Sequence, residues 1–320
     1  MIHHSPDIIA LGEPLFEFSF EEEGRIPTGR CLSGFGGDVS NFAVAASRAA
    51  GRSGVTVGIC TRLGVDPFGD AFMAMWRDQG VDTSLVVRTP DAPTGLYFIS
   101  RTAGIHEFTY YRAGSAASRM GPGFVPGDAI RAAKVLHFSG VTQGISESAR
   151  DAASAALRTA RAAGVQVSYD PNYRAQFWSV PQAQEVMHAT ASQADYFFPS
   201  LDEARLLTGL DEPERIAAFY RDLGAGTVAL KLGKDGVLLA SAEGMRHIPS
   251  ISVQSIDASG AGDIFAGAFV ASRVAGRSLG ECARFASVMA ALSTTRLGCV
   301  SSIPRLEEVQ ARLAFEARGE

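Results

Sequence analysis

Hydrophobic residues along the chain form short, uninterrupted runs that are separated by longer amphipathic segments. Uninterrupted runs are typical of strands that are buried on both faces of a sheet, because a half-exposed strand alternates apolar and polar side chains. The runs that predict buried strands span residues 8–11, 55–60, 135–138, 165–169, 196–198 and 228–232. The amphipathic segments that predict helices span residues 41–50, 71–79, 148–163, 181–191, 202–208 and 213–223.

Glycine follows several of the predicted helices, where a left-handed residue commonly ends a helix. These glycines are Gly51, Gly80, Gly164, Gly209 and Gly224. The last third of the chain is mainly helical, with helices predicted at residues 262–275, 279–296 and 306–318. Alternation of buried strands with helices predicts an α/β fold with a mostly parallel sheet and right-handed crossovers.

Two regions, residues 16–32 and 93–112, contain no convincing helix. The second reads TGLYFIS and then HEFTYYR, an alternation that predicts a β-hairpin. We therefore expect one domain over residues 1–320 with a discontinuous β-sheet lid formed by about 13–35 and 86–113. The alternative is that these segments are edge strands of the main sheet.

Composition excludes several classes of function. The formal net charge of -5 argues against a basic surface for nucleic acid. No apolar run approaches the ~18 residues of a membrane span, and the N-terminus lacks the pattern of a signal peptide, so a cytoplasmic protein without a membrane partner is expected. The four cysteines and six histidines show no metal-ligand spacing, which predicts reduced thiols and no structural metal.

The segment DASGAGD, residues 257–263, carries the strongest chemical signal. A short strand is predicted before it, at residues 251–256, and a helix after it. Gly260, Ala261 and Gly262 let backbone amides approach a ligand where the helix dipole favours negative charge, which suits a transferring phosphoryl group. Asp263 could then accept the proton of an attacking hydroxyl. A glycine turn with Asp263 as a capping carboxylate is the alternative.

Other nucleotide-binding motifs are missing from the sequence. It contains no GxxxxGK[ST] loop and no HRD or DFG, which excludes the two commonest kinase architectures. No GxGxxG follows the first predicted strand, so a dinucleotide-dependent oxidoreductase is disfavoured.

DASGAGD resembles the C-terminal signature of the ribokinase-like (phosphofructokinase-B type) carbohydrate kinases. GGDVSN at 36–41, followed by GVDPFGD at 64–70, resembles their other signature. The resemblance extends from about residue 8 to residue 304. It implies a doubly wound, mostly parallel sheet flanked by helices, a small β-sheet lid, ATP as co-substrate and Mg²⁺ as cofactor. It also implies that Gly260, Ala261 and Gly262 form an anion hole and that Asp263 is the catalytic base.

The resemblance also implies a set of nucleotide and ion contacts. ATP-binding residues would be Ser200, Lys231, Gly233, Gly236, Ser259, Gly260 and Gly262. Ser200 stands where the family usually has Asn, and Glu203 would order Mg²⁺-bound water unless it is a salt-bridged surface residue. A monovalent cation such as K⁺ would lie at Asp257, Ser259, Gly298 and Ser302, with Asp257 as a turn-stabilising carboxylate as the alternative.

Two arginines narrow the choice of substrate. Arg112 ends the lid hairpin, and Arg174 follows the carboxyl end of a strand, where doubly wound folds bind ligands. Guanidinium groups bind carboxylates in a bidentate fork, so two of them at one pocket favour a sugar acid. A structural salt bridge is the alternative for each arginine.

Within the family, the segments GEP (12–14), FGGDVSN (35–41) and YYRAGSAAS (110–118) are most similar to the 2-keto-3-deoxygluconate kinases. Substrate-binding residues implied by this similarity are Gly34, Gly36, Gly37, Asp38, Asn41, Tyr97, Tyr111, Arg112, Arg174 and Asp263. The expected reaction is ATP-dependent phosphorylation of 2-keto-3-deoxygluconate to its 6-phosphate. The alternatives are a fructokinase, a 5-keto-2-deoxygluconate kinase and a non-catalytic sugar-binding protein. An open, aromatic-bearing lid also predicts a homodimer joined through the lids.

Overall fold

The computed structural model describes residues 5–24, 28–102 and 105–318. Its strands are β1 (Ile8–Leu11), β2 (Leu15–Phe20), β3 (Cys31–Gly36), β4 (Val57–Gly64), β5 (Val86–Thr89), β6 (Leu96–Thr102), β7 (Ile105–Tyr111), β8 (Val135–Ser139), β9 (Gln166–Asp170), β10 (Tyr196–Phe197), β11 (Thr227–Lys231), β12 (Val237–Ser241) and β13 (Gly244–Ile248). Its α-helices are α1 (Asp38–Ala50), α2 (Pro67–Asp78), α3 (Gly127–Ala132), α4 (Gly140–Gly144), α5 (Glu147–Ala162), α6 (Val180–Ala191), α7 (Leu201–Thr208), α8 (Pro213–Leu223), α9 (Ala261–Val274), α10 (Leu279–Ser293) and α11 (Leu306–Ala317).

The larger sheet has the strand order β13-β12-β11-β10-β9-β8-β1-β4-β5. All of its pairings from β11 to β5 are parallel, whereas β12 and β13 add an antiparallel hairpin at one edge. Helices α1, α2, α9, α10 and α11 contribute to one apolar cluster, and α3, α5, α6, α7 and α8 contribute to a second. The sheet is therefore covered on both faces, which explains the uninterrupted apolar runs and confirms the predicted fold class.

The order of the strands positions the site. The chain runs from β1 outward to β4 and β5, and then returns to place β8 on the other side of β1. Loops that leave neighbouring strands in opposite directions open a crevice at the carboxyl end of the sheet, where ligands bind in this class of fold. The segments that follow β1, β8 and β9 all meet at this edge.

The smaller sheet is separate from the larger one and has the order β3-β2-β6-β7. Two distant segments build it, because β2 and β6 pair in parallel with Phe16 opposite Leu96. The expected start of the second lid segment at residue 86 is wrong, since β5 pairs in parallel with β4 of the larger sheet, with Val86 opposite Thr61. The lid strands of this segment begin at Leu96.

The strand predicted at residues 251–256 is also wrong. Ile251 is buried and Val253 packs against the core, so alternate side chains point inward as they would in a strand. The segment nevertheless pairs with no strand of the described residues. The backbone N–H groups of Ile256 and Asp257 instead donate to the carbonyl of Thr294, over 2.7 and 3.0 Å. The segment is thus an irregular connection that is tied to the end of α10.

Among the described residues, no helix is both long enough and apolar enough to cross a membrane.

Candidate active site

A cavity of about 470 Å³ lies between the lid and the carboxyl edge of the larger sheet. Tyr97, Ile99, Phe108 and Tyr110 line it from the lid. The polar side chains of its lining are those of Glu13, Asp38, Asn41, Arg112, Asn172, Arg174, Gln176, Ser259 and Asp263, and the backbone of Gly260 also lines it. The structure therefore brings most of the predicted substrate residues together around Asp263.

Asp263 lies in the first turn of α9, which begins after Gly260 in the left-handed region at φ 73°. The side-chain amide of Asn41 donates a hydrogen bond to Oδ2 of Asp263 over 3.0 Å. Gly267 lets α9 approach α1 closely, because a Cβ there would lie 2.4 Å from the carbonyl oxygen of Phe42. The small residues of the AGDIFAGAF segment thus hold the carboxylate against α1.

Burial is the main cause that raises the pKa of Asp263, to about 7. The negative charge of Asp38 raises the pKa further, whereas the hydrogen bond from Asn41 and the charge of Lys231 lower it. A carboxylate that titrates near neutral pH is well matched to general-base catalysis, because about half of it is ionised at pH 7, more at pH 8, and it still takes up a proton readily.

Asp38 and Asn41 present unpaired acceptors beside Asp263. Oδ2 of Asp38 accepts from the hydroxyl of Ser139. Within the described part of the chain, the buried atoms Oδ1 of Asp38 and Oδ1 of Asn41 have no hydrogen-bond partner. Buried acceptors normally have donors, so the hydroxyl groups of a sugar would complete this site. Gly37, at φ 91°, permits the turn, because a Cβ there would lie 2.6 Å from the carbonyl oxygen of Glu13.

Asn172 lines the cavity, although no role was predicted for it from the sequence. It follows β9 in the DPN segment and adopts a left-handed conformation with φ 38°, which asparagine tolerates better than most residues. Its side-chain amide lies 3.4 Å from Oδ2 of Asp38 and 3.5 Å from Oδ1 of Asp263. The available signal was the position of Asn172 just after a buried strand.

Residues 260–262, called the glycine turn below, carry the proposed anion hole. The first N–H groups of a helix have no intrahelical acceptor, and those of Gly262 and Asp263 lie in the first turn of α9. Lys231 lies against this turn, since a Cβ on Gly262 would approach its Nζ to 3.1 Å. The same Nζ forms an ion pair with Asp170 over 2.5 Å.

The other predicted nucleotide residues lie at the same sheet edge but outside the lining of the cavity. Ser200 precedes α7, and Glu203 accepts from the backbone N–H groups of Ser200 and Tyr173, over 2.5 and 2.9 Å. Burial raises the pKa of Glu203, so it is not an exposed salt-bridged residue. Gly233 and Gly236 form the left-handed turn from β11 to β12, with φ values of 61° and 99°.

The two predicted arginines have different surroundings. Arg112 forms an ion pair with the buried carboxylate of Glu13, and its Nε donates to Oε2 of that residue over 2.7 Å. Arg174 is exposed, and its Nη1 donates to the carbonyl of Tyr173 over 3.0 Å. Throughout residues 5–24, 28–102 and 105–318, no carboxylate forms an ion pair with Arg174. Both arginines line the cavity, but only Arg112 forms an ion pair among the described residues, while the nearby charge of Asp38 acts on Arg174 without direct contact.

Neighbouring tyrosines of the lid point to opposite faces. Tyr110 lines the cavity, whereas Tyr111 is 64% exposed and packs edge-on against Phe98 outside the cavity. Tyr97 lines the cavity and donates its hydroxyl to Glu17.

Two predicted substrate glycines support the lid rather than line the cavity. Gly36 packs against Tyr97, whose hydroxyl would lie 2.5 Å from a Cβ at that position. Gly34 pairs with Glu17 across β2 and β3, and a Cβ on it would lie 3.6 Å from the Glu17 carboxylate. These glycines therefore act on the site through their neighbours.

The positions predicted for a monovalent cation lie around Asp257. Its carboxylate accepts from the backbone N–H groups of Ser259 and Gly298, over 2.9 and 3.0 Å. The hydroxyl of Ser302 donates to the carbonyl of Cys299 over 2.8 Å. Asp257 thus joins the glycine-turn segment to the loop after α10.

The sequence matches the family described as "pfkB family carbohydrate kinase" over residues 6–306. The chain belongs to that family. It is 31% identical to a 2-dehydro-3-deoxygluconokinase of Bacillus subtilis, over 97% of this chain and 96% of the relative. It is 32% identical to fructokinase-1 of Zea mays, over 94% of this chain and 96% of the relative.

A solved structure of a ribokinase II candidate from Escherichia coli, in complex with ATP and Mg²⁺, superimposes with a TM-score of 0.88. It is 27% identical to this chain, and the match covers 97% of this chain and 99% of that one. The protein is therefore an enzyme, a carbohydrate kinase, with a ribokinase-like fold. The prediction of family and fold from the motifs is confirmed.

Proposed function

We propose that this kinase phosphorylates the 6-hydroxyl of 2-keto-3-deoxygluconate with ATP as phosphoryl donor. The observation that supports the proposal is Arg174, an exposed arginine of the cavity that forms no ion pair among the described residues and donates to the carbonyl of Tyr173. A guanidinium in that position favours a substrate carboxylate. The B. subtilis relative, named 2-dehydro-3-deoxygluconokinase, supports the same substrate.

The chemistry follows from the placement of Asp263. Its Oδ2 accepts from Asn41, while Oδ1, within the described part of the chain, has the 3.5 Å contact with Asn172 as its hydrogen bond. Asp263 takes the proton of the sugar hydroxyl as the hydroxyl oxygen bonds to the γ-phosphorus, and ADP leaves with the electron pair of the broken P–O bond. Amides of the glycine turn and the charge of Lys231 stabilise the transferring phosphoryl group.

ATP and Mg²⁺ as ligands are supported by the E. coli structure that contains both. Asp170, Glu203 and Lys231 cluster beside the glycine turn, as the influence of Asp170 and Lys231 on the pKa of Glu203 shows. Glu203 already accepts two backbone N–H groups, and Asp170 is paired with Lys231. This arrangement fits Mg²⁺ that keeps several waters and phosphate ligands, with these carboxylates binding the waters. When bound, Mg²⁺ neutralises phosphate charge.

Fructose is the second candidate substrate, and one observation favours it. Glu13 neutralises Arg112, so among the described residues that line the cavity one arginine, Arg174, is left without an ion pair for a sugar acid. The maize fructokinase is as similar in sequence as the 2-dehydro-3-deoxygluconokinase.

An ADP-release assay over 2-keto-3-deoxygluconate, 5-keto-2-deoxygluconate, fructose and ribose separates the candidates. We expect the highest kcat/KM with 2-keto-3-deoxygluconate. Arg174→Ala should raise KM for the sugar acid by about 30-fold or more, because losing a charged hydrogen-bonding partner costs ~2–5 kcal/mol. Arg215→Ala, at an exposed position on α8, is the matched control. A preference for fructose that Arg174→Ala leaves unchanged would refute the sugar-acid substrate.

A further inference from the structure

Glu13 occupies an unusual place for a charged side chain. It follows β1 at the bottom of the cavity and is 1% exposed. Its partner Arg112 follows β7 of the lid, 99 residues further along the chain. We propose that Glu13 is a positioning residue, which fixes the guanidinium of Arg112 at the cavity wall and thereby sets affinity for the carboxylate of a sugar acid. The inference rests on the proposed function for the identity of the ligand.

The contact uses one edge of the guanidinium. Nε of Arg112 donates to Oε2 of Glu13 over 2.7 Å, and Nη2 forms an ion pair with the same oxygen. A guanidinium is planar and rigid, so fixing one edge fixes the direction of the remaining donors. Nη2 makes no hydrogen bond among the described residues. Because Arg112 lines the cavity, we infer that the guanidinium donors not directed at Glu13 are the ones left for a ligand.

Aromatic rings restrict the same group. The Cζ atom of Arg112 lies 4.9 Å from the centroid of the Phe177 ring and 5.5 Å from that of Tyr110. Phe177 belongs to the segment after β9, whereas Tyr110 belongs to the lid. The guanidinium thus contacts rings from both sides of the cavity, and Glu13 adds the directional contact that the rings do not supply.

Glu13 is itself held in place. The hydroxyl of Ser115 donates to its Oε1 over 2.6 Å, and the backbone N–H of Ser115 donates to the carbonyl of Arg112 over 3.0 Å. Gly95 leaves room for the carboxylate, since a Cβ there would lie 2.9 Å from Oε1. Both oxygens of Glu13 therefore have protein donors, so we infer that it acts on substrate through Arg112 rather than by direct contact.

The nature of the pair predicts different results for two substitutions. Glu13→Ala leaves Arg112 as a partly buried cation without a partner, which favours a different orientation of its side chain. Glu13→Gln keeps a carbonyl oxygen for Nε of Arg112 and offers an amide donor to the Ser115 oxygen. Glutamine thus preserves the position of Arg112 and removes only the charge.

The test is a double-mutant cycle with Glu13→Ala, Arg112→Ala and the double variant, together with Glu13→Gln. Calorimetric Kd and steady-state kinetics are measured with 2-keto-3-deoxygluconate. We expect Glu13→Ala to raise Kd and KM by about tenfold or more, the worth of one charge-assisted hydrogen bond, with kcat at saturation largely kept. Glu13→Gln should restore binding, and the double variant should match Arg112→Ala within about twofold. Glu316→Gln, which removes the carboxylate that pairs with Arg284 and Arg312 outside the cavity, controls for loss of ion pairing.

Other outcomes would contradict the positioning role of Glu13 or the proposed substrate. If Glu13→Ala binds the sugar acid as wild type does, or weakens binding further in the Arg112→Ala background, Glu13 does not act through Arg112. If Glu13→Ala does not fold, Arg112→Ala is compared with the double variant, which leaves no unpaired cation. Equal affinities of these two variants support the positioning role, and weaker binding by the double variant refutes it. Wild-type protein that does not bind 2-keto-3-deoxygluconate would refute the proposed function instead. The same cycle would then be measured with the best sugar of the panel. Non-additive changes in binding free energy for Glu13→Ala and Arg112→Ala would support the positioning role, and additive changes would overturn it.

Discussion

The side-chain amide of Asn41 donates to Oδ2 of Asp263 over 3.0 Å and so joins the first turns of α1 and α9. This bond orients the carboxylate and leaves Oδ1 facing a cavity that also contains the unpaired acceptors of Asp38 and Asn41. A sugar hydroxyl beside Asp263 could donate its proton to Oδ1 of Asp263. Adjacent hydroxyls of the same sugar could donate to the free acceptors of Asp38 and Asn41. This arrangement supports the proposed role of Asp263 as the acceptor of the hydroxyl proton.

Asp263→Asn should reduce kcat by about 10²–10⁴-fold, because asparagine cannot accept the hydroxyl proton. Asparagine is nearly isosteric and can still cap a helix, so binding and fold should change little. The measurement is kcat and KM for ATP and the best sugar, with circular dichroism as a check of folding. A correctly folded variant that retains more than about a tenth of wild-type kcat would remove Asp263 as the base.

The pH dependence of kcat/KM should follow the ionisation of Asp263. Activity should rise with pH through about 7 and then level off, because only the carboxylate accepts a proton. The charge of Asp38 contributes to the raised pKa, so Asp38→Asn should move the midpoint to lower pH, whatever it does to the maximum rate. An unchanged midpoint in Asp38→Asn would show that another group controls the profile.

Stability should also depend on Asp263. Its pKa is about 7 in the fold and near 3.8 in a solvated carboxyl, so the folded state binds more protons between these values. Stability therefore falls as pH rises from about 4 to 7. Asparagine does not ionise, so its burial costs the same free energy at every pH. The gain in Tm of Asp263→Asn over wild type should therefore be larger at pH 8 than at pH 5. Equal gains at both pH values would contradict the burial of an ionisable Asp263.

Potassium should raise turnover by ordering the segment around Asp257, whose carboxylate joins the Ser259 and Gly298 backbones. We expect higher kcat/KM in potassium buffer than in tetramethylammonium buffer at equal ionic strength. Asp257→Asn should lose most of that difference, because the carboxylate supplies the charge that attracts a cation. Equal rates of the wild-type enzyme in the two buffers would refute a cation site here.

The lid should join two protomers. Leu32 and Tyr111 are 49% and 64% exposed on lid strands, which favours coverage of the sheet by a second lid. Sedimentation at micromolar concentration should give about twice the 33.8 kDa of one chain. Tyr111→Asp should shift the mass toward one chain, whereas Arg215→Ala should not. A wild-type mass of one chain would refute the dimer.

The sequence predicted the elements whose signals are local. Buried parallel strands such as β1 have uninterrupted apolar runs, and Gly209 ends α7 in the left-handed conformation that its position indicated. The segment 251–256 has the same apolar alternation as a strand, but pairing depends on a neighbour that no local pattern reveals. The sheet to which β5 belongs was likewise not predictable from its own residues, because it depends on the parallel pairing of β5 with β4.

The site shows a similar limit. Tyr110 and Tyr111 are adjacent, and successive side chains of a strand point to opposite faces, so composition could not tell which one lines the cavity. The pairing of Glu13 with Arg112 links positions 99 residues apart, and neither residue carries a local sign of it. The conformation of DASGAGD, a turn at the start of α9, was predictable because its residues are neighbours both in the chain and in space.

The parallel pairing of β2 with β6 has a consequence for how the molecule folds. Glu17 and Tyr97 face each other across these strands although 80 residues separate them. No short hairpin can bring such strands together, and the entropy of closing so long a loop must be offset by other contacts first. The intervening chain supplies them, because β4 and β5 dock beside β1 and fix both ends of the loop. We therefore expect the lid sheet, and with it the substrate cavity, to form after β1, β4 and β5 have assembled.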